Sequence, residues 1–223
     1  MFNKPNHLYF FFDYISHNAW LAWQRTAKLA AQHNLIFEPV PVLFAGLLKA
    51  HGQVGPGEVP AKLRWMTWNV LRKSKQYGIP FAPPNTHPFN PLVPLRVSCC
   101  DLPRAQRFDL ITRLFSATWA ESRAVSEPDV VSAVITEAGL NTDLLMMEAY
   151  TDEVKARLRD NTDAAIAAGV FGVPTVMVRD ELFWGFDDLE NLENFLSGAD
   201  PIGADKEIYA DWFTLRSSAQ RKR

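Results

Sequence analysis

The chain has 223 residues, of which 48% are hydrophobic and 22% are charged, with a formal net charge of -2 and a sequence pI of about 6.2. This composition is typical of a globular protein with a substantial core, and it excludes a general attraction to nucleic acid or to a membrane surface. Because no apolar run approaches the roughly 20 residues of a membrane-spanning helix, and because the N-terminus lacks the features of a signal peptide, we expect a cytoplasmic protein.

The first predicted elements form a βαβ unit. Residues 8–13 are predicted as a strand, because Phe10, Phe11 and Phe12 form a continuous aromatic run that is typical of a buried strand. Residues 17–33 are predicted as a helix, since Trp20 and Trp23 fall at helical spacing. A second strand is predicted over residues 35–43. Such a unit favours a parallel pair of strands.

The middle of the chain, from about residue 44 to 170, is predicted to be mostly helical. One helix begins at Pro60 and ends at Gly78, and the proline-rich stretch that follows is predicted to be extended. Ser126 is predicted to cap a later helix. Further helices are predicted over 91–100, 104–122, 126–139 and 144–169, the last as one or two helices.

Two adjacent cysteines, Cys99 and Cys100, lie in this helical region. They do not form the C-x-x-C pair of a redox site, so we interpret them as ordinary thiols in a helix. No cluster of His, Cys, Asp or Glu has the spacing of zinc ligands, and no metal is predicted.

The chain then returns to β-structure. Strands are predicted at about 175–178 and 181–184, joined by a turn at Arg179 and Asp180. A helix is predicted to start near Asp187. A βαβ start, a helical middle and a ββα finish together predict an α/β, thioredoxin-like fold with a large helical domain inserted.

The predicted domain organisation follows from this order. Residues 1–44 and 171–200 form the thioredoxin-like domain, 45–170 the helical insert and 201–223 a C-terminal extension whose aromatic residues are expected to pack on the body. Two consecutive domains are the alternative. The insertion is favoured because each terminal piece is too small to bury a sheet alone.

Ser16 occupies the point where the first strand becomes a helix. The unpaired N–H groups and the positive dipole end of a helix N-terminus attract an anion there. A serine hydroxyl in this place can donate a hydrogen bond to a thiolate supplied by a ligand. The alternative role is that of a helix N-cap alone.

Two other stretches are candidates for ligand contacts. Val173-Pro174 is either a cis peptide, which would offer the Val173 backbone to an extended ligand, or a trans proline at a strand start. After Gly185, the N–H groups near Phe186 can hold a carboxylate, and Asp187 either pairs with an ammonium or caps the next helix.

Polar residues border a loop rich in Gly and Pro over residues 51–60. Lys49 and Lys62 stand at its two edges, where they either hold ligand carboxylates or are simply solvated. His17 is either a base near the site or a partly exposed turn residue.

Taken together, the motifs resemble the 2-hydroxychromene-2-carboxylate isomerases and the kappa-class glutathione transferases. The resemblance covers roughly residues 8–197 and keeps the order of the family's motifs. They are FFFDYISHNAWLA, PVLFAGLLKAHGQVGPGEVPAKLRWM, FNPLVPLR and GVFGVPTVMVRDELFWGFDDLENL.

The resemblance implies that glutathione binds at this site. Ser16 matches the serine whose hydroxyl stabilises the glutathione thiolate, and Val173, before a cis Pro174, matches the residue that pairs with the cysteinyl amide. The stretch that matches the γ-glutamyl site is Trp184, Gly185, Phe186 and Asp187. The chain differs from the family's pattern at Phe186, where a polar residue is common, and at His17, where proline is usual.

Four other polar residues take roles from the same resemblance. Gln53 and Lys62 match polar contacts to glutathione, although asparagine is usual in place of Gln53. Lys49 matches a lysine near the second substrate, and Asn90 an asparagine of the substrate pocket, in which His17 would also lie.

The function implied is a glutathione-dependent isomerase whose thiolate adds reversibly to a conjugated, small aromatic carboxylate. Trp65 and Trp68 would either line an aromatic pocket or belong to the core. Related proteins are commonly dimers, so a homodimer is expected. The alternatives are a kappa-like transferase or peroxidase, a thiol-disulfide oxidoreductase, and a non-catalytic thioredoxin-like module that binds a peptide.

Overall fold

A computed structural model describes residues 2–215 of the chain. Its sheet has four strands in the order β2-β1-β3-β4. The strands are β1 (His7–Phe12), β2 (Ile36–Pro41), β3 (Thr175–Val178) and β4 (Glu181–Trp184). β1 pairs in parallel with β2 and antiparallel with β3, and β3 pairs antiparallel with β4. The two ends of the chain therefore build one sheet.

Most of the helices lie between β2 and β3 in the sequence. The helices are α1 (His17–Gln32), α2 (Phe44–His51), α3 (Pro60–Tyr77), α4 (Leu92–Ser98), α5 (Arg104–Trp119), α6 (Pro128–Glu137), α7 (Thr142–Ala149), α8 (Asp152–Ala167) and α9 (Leu189–Ser197). Short 3-10 segments are present at Pro56–Glu58 and Gly203–Thr214. The division into a thioredoxin-like domain and an inserted helical domain stays a prediction.

The aromatic strand β1 explains why two cores meet at the sheet. Successive side chains of a strand point to opposite faces. Phe10 and Phe12 pack with Trp23 of α1 in the larger core. Tyr9 and Phe11 pack on the other face in a smaller core. Because β1 is buried on both faces, its C-terminal end is fixed firmly, and the first turn of α1 follows directly from it.

Two predictions about helices and cores are wrong in detail. Ser126 does not cap α6, because Pro128 takes the first helical position, which proline favours, and this makes Glu127 the cap residue. Trp65 and Trp68 do not belong to the core, since 60% and 58% of their surfaces are exposed. The first half of α3 borders a cavity and solvent, and the buried residues of the helix, Val70, Lys73 and Ser74, all lie in its second half.

The adjacent cysteines are buried free thiols. They follow α4 directly and do not lie inside it, since the helix ends at Ser98. Burial raises the pKa of Cys99 to about 12, and burial also raises that of Cys100 to about 12. Neither is a reactive thiolate at neutral pH, which agrees with their interpretation as ordinary thiols.

The C-terminal extension was expected to pack its aromatic side chains on the body. Tyr209 and Trp212 are instead 40% and 67% exposed and contact each other, with ring centroids 5.3 Å apart. The side chain of Phe213 and the whole of residues 216–223 lie outside the described part of the chain.

Within residues 2–215, no helix is both long enough and apolar enough to cross a membrane. The same part of the chain contains no group of three His, Cys, Asp or Glu side chains placed to hold a metal ion.

Candidate active site

A cavity of about 800 Å3 opens at the C-terminal end of β1. Its walls are the junction between β1 and α1, the first turns of α2, the loop after α2, one side of α3, the proline-rich segment before α4, and the turns on either side of the β3–β4 hairpin. Elements from both ends of the chain and from the helical middle therefore enclose one space. The lining includes most of the residues that the sequence singled out.

Ser16 joins two walls of this cavity. Its Oγ accepts a hydrogen bond from the Ala19 N–H at 3.2 Å, so it is the N-cap of α1. The same hydroxyl donates to the carbonyl of Val173, also at 3.2 Å. The N-cap role is confirmed, and it leaves the hydroxyl proton pointing away from its own helix toward the turn before β3.

The Val173-Pro174 peptide bond is cis, as the first of the two alternatives predicted. Val173 lines the cavity, whereas Pro174 lies behind it, and the Pro174 carbonyl accepts from the Gly185 N–H at 2.8 Å. This bond fixes the turn before β3 against the turn after β4. Both turns therefore face Ser16 as one unit.

The Trp184 indole packs closely on the backbone of Gly172, in the turn before β3. A Cβ built on Gly172 would lie 2.6 Å from Trp184 Nε1. The indole is half exposed and packs on Phe171, with ring centroids 5.1 Å apart. The close approach of backbone and indole therefore requires a residue without a side chain at position 172.

We expect Gly172→Ala to displace the Trp184 indole while costing about 1 kcal/mol or less in the free energy of unfolding, because a half-exposed ring can rotate away. The displacement is measured as a change in tryptophan emission, and stability by chemical denaturation. The control is the same substitution in a Trp184→Phe background, where the emission should not respond. A loss of several kcal/mol would contradict a merely local shift.

Asp187 has a protein partner that the sequence did not predict. Its Oδ2 lies 2.6 Å from Nζ of Lys73, which reaches it from α3. The next helix, α9, begins two residues later than predicted, at Leu189, with Asp188 as its N-cap residue. The alternative role of Asp187 as a helix cap is therefore wrong, and its carboxylate stands in the cavity wall paired with an ammonium of the chain itself.

The structure brings together some of the predicted polar residues and not others. Gln53 and Lys62 line the cavity from the loop after α2 and from the first turn of α3. Lys49 is exposed in the last turn of α2 and is not among the lining residues. Asn90 lines a neighbouring cavity of about 370 Å3, and its Oδ1 accepts from the Leu92 N–H.

Two histidines form the wall next to Ser16. His17 packs edge-on against Trp119, and its Nδ1 is buried without a hydrogen-bond partner among residues 2–215. Burial lowers the pKa of His17 to about 4, and the charges of His87 and Lys73 add to the effect. Burial also lowers the pKa of His87, whose Nε2–H donates to the Ile15 carbonyl. Both rings are therefore neutral at neutral pH.

Asp13 forms the floor beneath this wall. Its carboxylate accepts from the N–H groups of Ile15 and Phe44, at 3.0 and 2.9 Å. It thereby fixes the end of β1 to the start of α2. Burial raises the pKa of Asp13 to about 7, and the two hydrogen bonds oppose this only in part.

Three of these residues, Asp13, Lys73 and His87, were not predicted as part of the site. For Lys73 a signal was available, since it falls three residues after Val70 on the buried side of α3, where a lysine needs a partner. His87 precedes Pro88, which also follows a cis peptide bond, but a proline-rich stretch does not show where it folds back.

The sequence is similar to a family of thioredoxin-like proteins and to several characterised enzymes. Residues 7–197 match the family described as the DSBA-like thioredoxin domain. A 2-hydroxychromene-2-carboxylate isomerase of Pseudomonas sp. (strain C18) is 32% identical over 197 residues, covering 85% of this chain and 90% of that protein. Glutathione S-transferase kappa 2 of Caenorhabditis elegans is 26% identical over 203 residues, and the match covers 84% of this chain and 90% of that protein.

A solved structure gives the same result. That of a 2-hydroxychromene-2-carboxylate isomerase superposes with a TM-score of 0.80 at 26% identity, covering 94% of this chain and 99% of that one. The fold is therefore that of a DsbA-like thioredoxin domain. The prediction of an α/β, thioredoxin-like fold is confirmed. The chain belongs to this family and to the family of the 2-hydroxychromene-2-carboxylate isomerases, and it is also similar to the kappa-class glutathione transferases.

Proposed function

We propose that the chain is a glutathione-dependent isomerase that acts on small conjugated aromatic carboxylates of the hydroxychromene type. The observation that carries the proposal is the position of Ser16. It stands at the N-terminus of a 16-residue helix, in the wall of a large cavity, with its hydroxyl proton directed at the turn before β3. The 32% identity to a protein named as such an isomerase supports the choice of substrate.

The residues of the cavity suit the chemical groups of glutathione. A hydroxyl donor and a helix N-terminus suit a thiolate, and they are found together at Ser16. Asp187 suits an ammonium, and Lys62 suits a carboxylate. These three groups stand in different walls of one cavity of about 800 Å3, which is of the size that holds a ligand of several hundred daltons.

Glutathione held at Ser16 and Val173 would supply a nucleophilic thiolate for reversible addition to a conjugated carbon of the substrate. Ser16 keeps that sulfur ionised, because its hydroxyl gives up the bond to the Val173 carbonyl and donates to the anion instead. The carbonyl of Val173 is then free to accept from an amide N–H of the ligand.

The substrate end of the cavity is mainly aromatic. Trp65 lines it from α3, Phe89 from the proline-rich segment, and the neutral rings of His17 and His87 close it beside Ser16. A flat aromatic substrate is suited to such walls, because offset and edge-on ring contacts each contribute about 1 kcal/mol. Lys49 and Asn90 lie outside this lining, so the contact of Lys49 with the substrate carboxylate stays a prediction.

A kappa-like glutathione transferase is the second candidate. The similarity to the Caenorhabditis elegans kappa transferase favours it, because Ser16 and Val173 would serve both reactions. Thiol-disulfide exchange is disfavoured, since the only two cysteines of the sequence are buried beside α4 and a serine occupies the start of α1.

The proposal is tested by a calorimetric titration with reduced glutathione, followed by assays of isomerisation of a hydroxychromene carboxylate and of conjugation to a chloroarene. We expect binding at up to millimolar concentration and isomerisation that requires glutathione. S-methylglutathione is the matched control, because it keeps every contact except the thiol and should bind without supporting turnover. Conjugation without isomerisation would favour the transferase, and absence of binding would overturn both.

A further inference from the structure

Lys73 is a buried lysine in the wall of the cavity. Only 9% of its side chain is exposed, and Asp187 is its one hydrogen-bond partner among residues 2–215. An ammonium has three N–H donors. Lysines are rarely buried unless they are paired, and this one has two donors left to offer to a group that enters the cavity.

Asp187 can likewise accept further hydrogen bonds. Its side chain is 76% exposed, and only Oδ2 contacts Lys73. The neighbouring carboxylate, that of Asp188, is already occupied, since it accepts from the Trp184 N–H and from the Asn191 side chain. Lys73 and Asp187 therefore present one free cationic and one free anionic face side by side.

Phe186 sits between these charges without a polar group of its own. Lys73 Nζ lies 5.4 Å from the centre of its ring, and the Arg25 guanidinium 5.2 Å from the same centre. Two cations thus lie near this ring, and the two residues that follow it, Asp187 and Asp188, carry carboxylates. The local charge is balanced, so a ligand end that is itself neutral overall but carries both charges leaves that balance intact.

We infer that Lys73 is a specificity-determining residue, which binds the α-carboxylate of the α-amino acid end of the ligand beside Asp187, the residue that the resemblance already assigns to the ammonium of that end. This rests on the proposed function, in which the ligand is glutathione and that end is its γ-glutamyl residue. The ion pair between Lys73 and Asp187 holds both side chains in place before the ligand arrives, and each then uses its remaining hydrogen-bonding capacity. The pair makes the site selective for thiols with an α-amino acid end.

The test compares two ligands, glutathione and the analogue in which the α-carboxylate of the γ-glutamyl residue is a carboxamide. In the unmodified protein we expect glutathione to bind about ten- to a hundredfold more tightly, since the analogue loses a charge-assisted hydrogen bond. In Lys73→Met the preference should shrink to about twofold or less. Lys75→Met, which changes an exposed lysine of the same helix, should keep the full preference.

The outcomes separate the two proposals. Glutathione binding with an unchanged preference in Lys73→Met would overturn the role of Lys73 and leave the proposed function standing. Absence of glutathione binding in the unmodified protein would overturn both. Lys73→Gln is the second variant if the methionine variant does not fold, and Lys73→Arg should restore part of the preference, which a purely structural role would not predict.

Discussion

Ser16→Ala is expected to lower glutathione-dependent turnover by about ten- to a thousandfold, by analogy with the loss of one preorganised hydrogen-bond donor from an oxyanion site. Ser16 Oγ makes two hydrogen bonds in the structure, accepting from Ala19 and donating to Val173. Only the second can be redirected to a sulfur. The measurement is kcat/KM for isomerisation at saturating glutathione, together with the pKa of the bound thiol from its ultraviolet absorbance.

The same substitution also removes a helix cap, which costs about 1 kcal/mol of stability by itself. Thr151→Ala is the matched control, because Thr151 caps α8 through its side chain in the same way and does not line the cavity. We expect both variants to lose similar stability and only the Ser16 variant to lose activity. Equal activity losses in the two variants, or full activity in Ser16→Ala, would contradict the proposed role.

Much of the fold could be predicted because its signals are local. Pro60 begins α3, and Gly78, with a φ of +64°, ends it at the predicted residue. The aromatic run that starts at Phe10 could be recognised as a strand because burial on both faces requires such residues. The start of α9 was misplaced because Asp187 and Asp188 are equally good caps in sequence. In the structure Asp187 pairs instead with Lys73, a partner 114 residues away that the local sequence does not indicate.

Site residues could be predicted from the sequence only where they belong to a short local motif. Ser16 and the cis bond before Pro174 each belong to a local motif, and the structure brings them within 3.2 Å of one another. Lys73 and His87 come from the helical middle, whose position over the sheet depends on packing between distant elements. The spacing of Lys73 after Val70 indicates that it is buried, but its approach to this cavity is a property of the tertiary structure.

Acidification is expected to destabilise the protein more than it destabilises a His17→Gln variant. The pKa of His17 in the folded protein is lowered from 6.5 to about 4, first by burial and then by the charges of His87 and Lys73. Below pH 6.5 the unfolded chain binds a proton that the folded protein excludes. The stability that neutral His17 provides is therefore lost as the pH falls toward 4, by up to about 3 kcal/mol.

The comparison with the variant is necessary because Asp13 acts in the opposite direction. Its pKa in the folded protein is raised to about 7, so its contribution is complete below its ordinary pKa of 3.8 and is lost as the pH rises toward 7. The two slopes partly cancel in the unmodified protein. Since Asp13 is common to both proteins, the difference between their free energies of unfolding, measured from pH 4 to 7.5, isolates His17.

A proton NMR titration of the His17 ring gives the same pKa directly. Parallel stability curves, or a midpoint near 6.5, would contradict a buried, neutral ring. The result bears on the mechanism, because a neutral His17 supplies no positive charge to a thiolate at neutral pH. The anion must then be stabilised by the Ser16 hydroxyl and the N-terminus of α1, which is why the loss of a single hydroxyl is expected to have so large an effect on turnover.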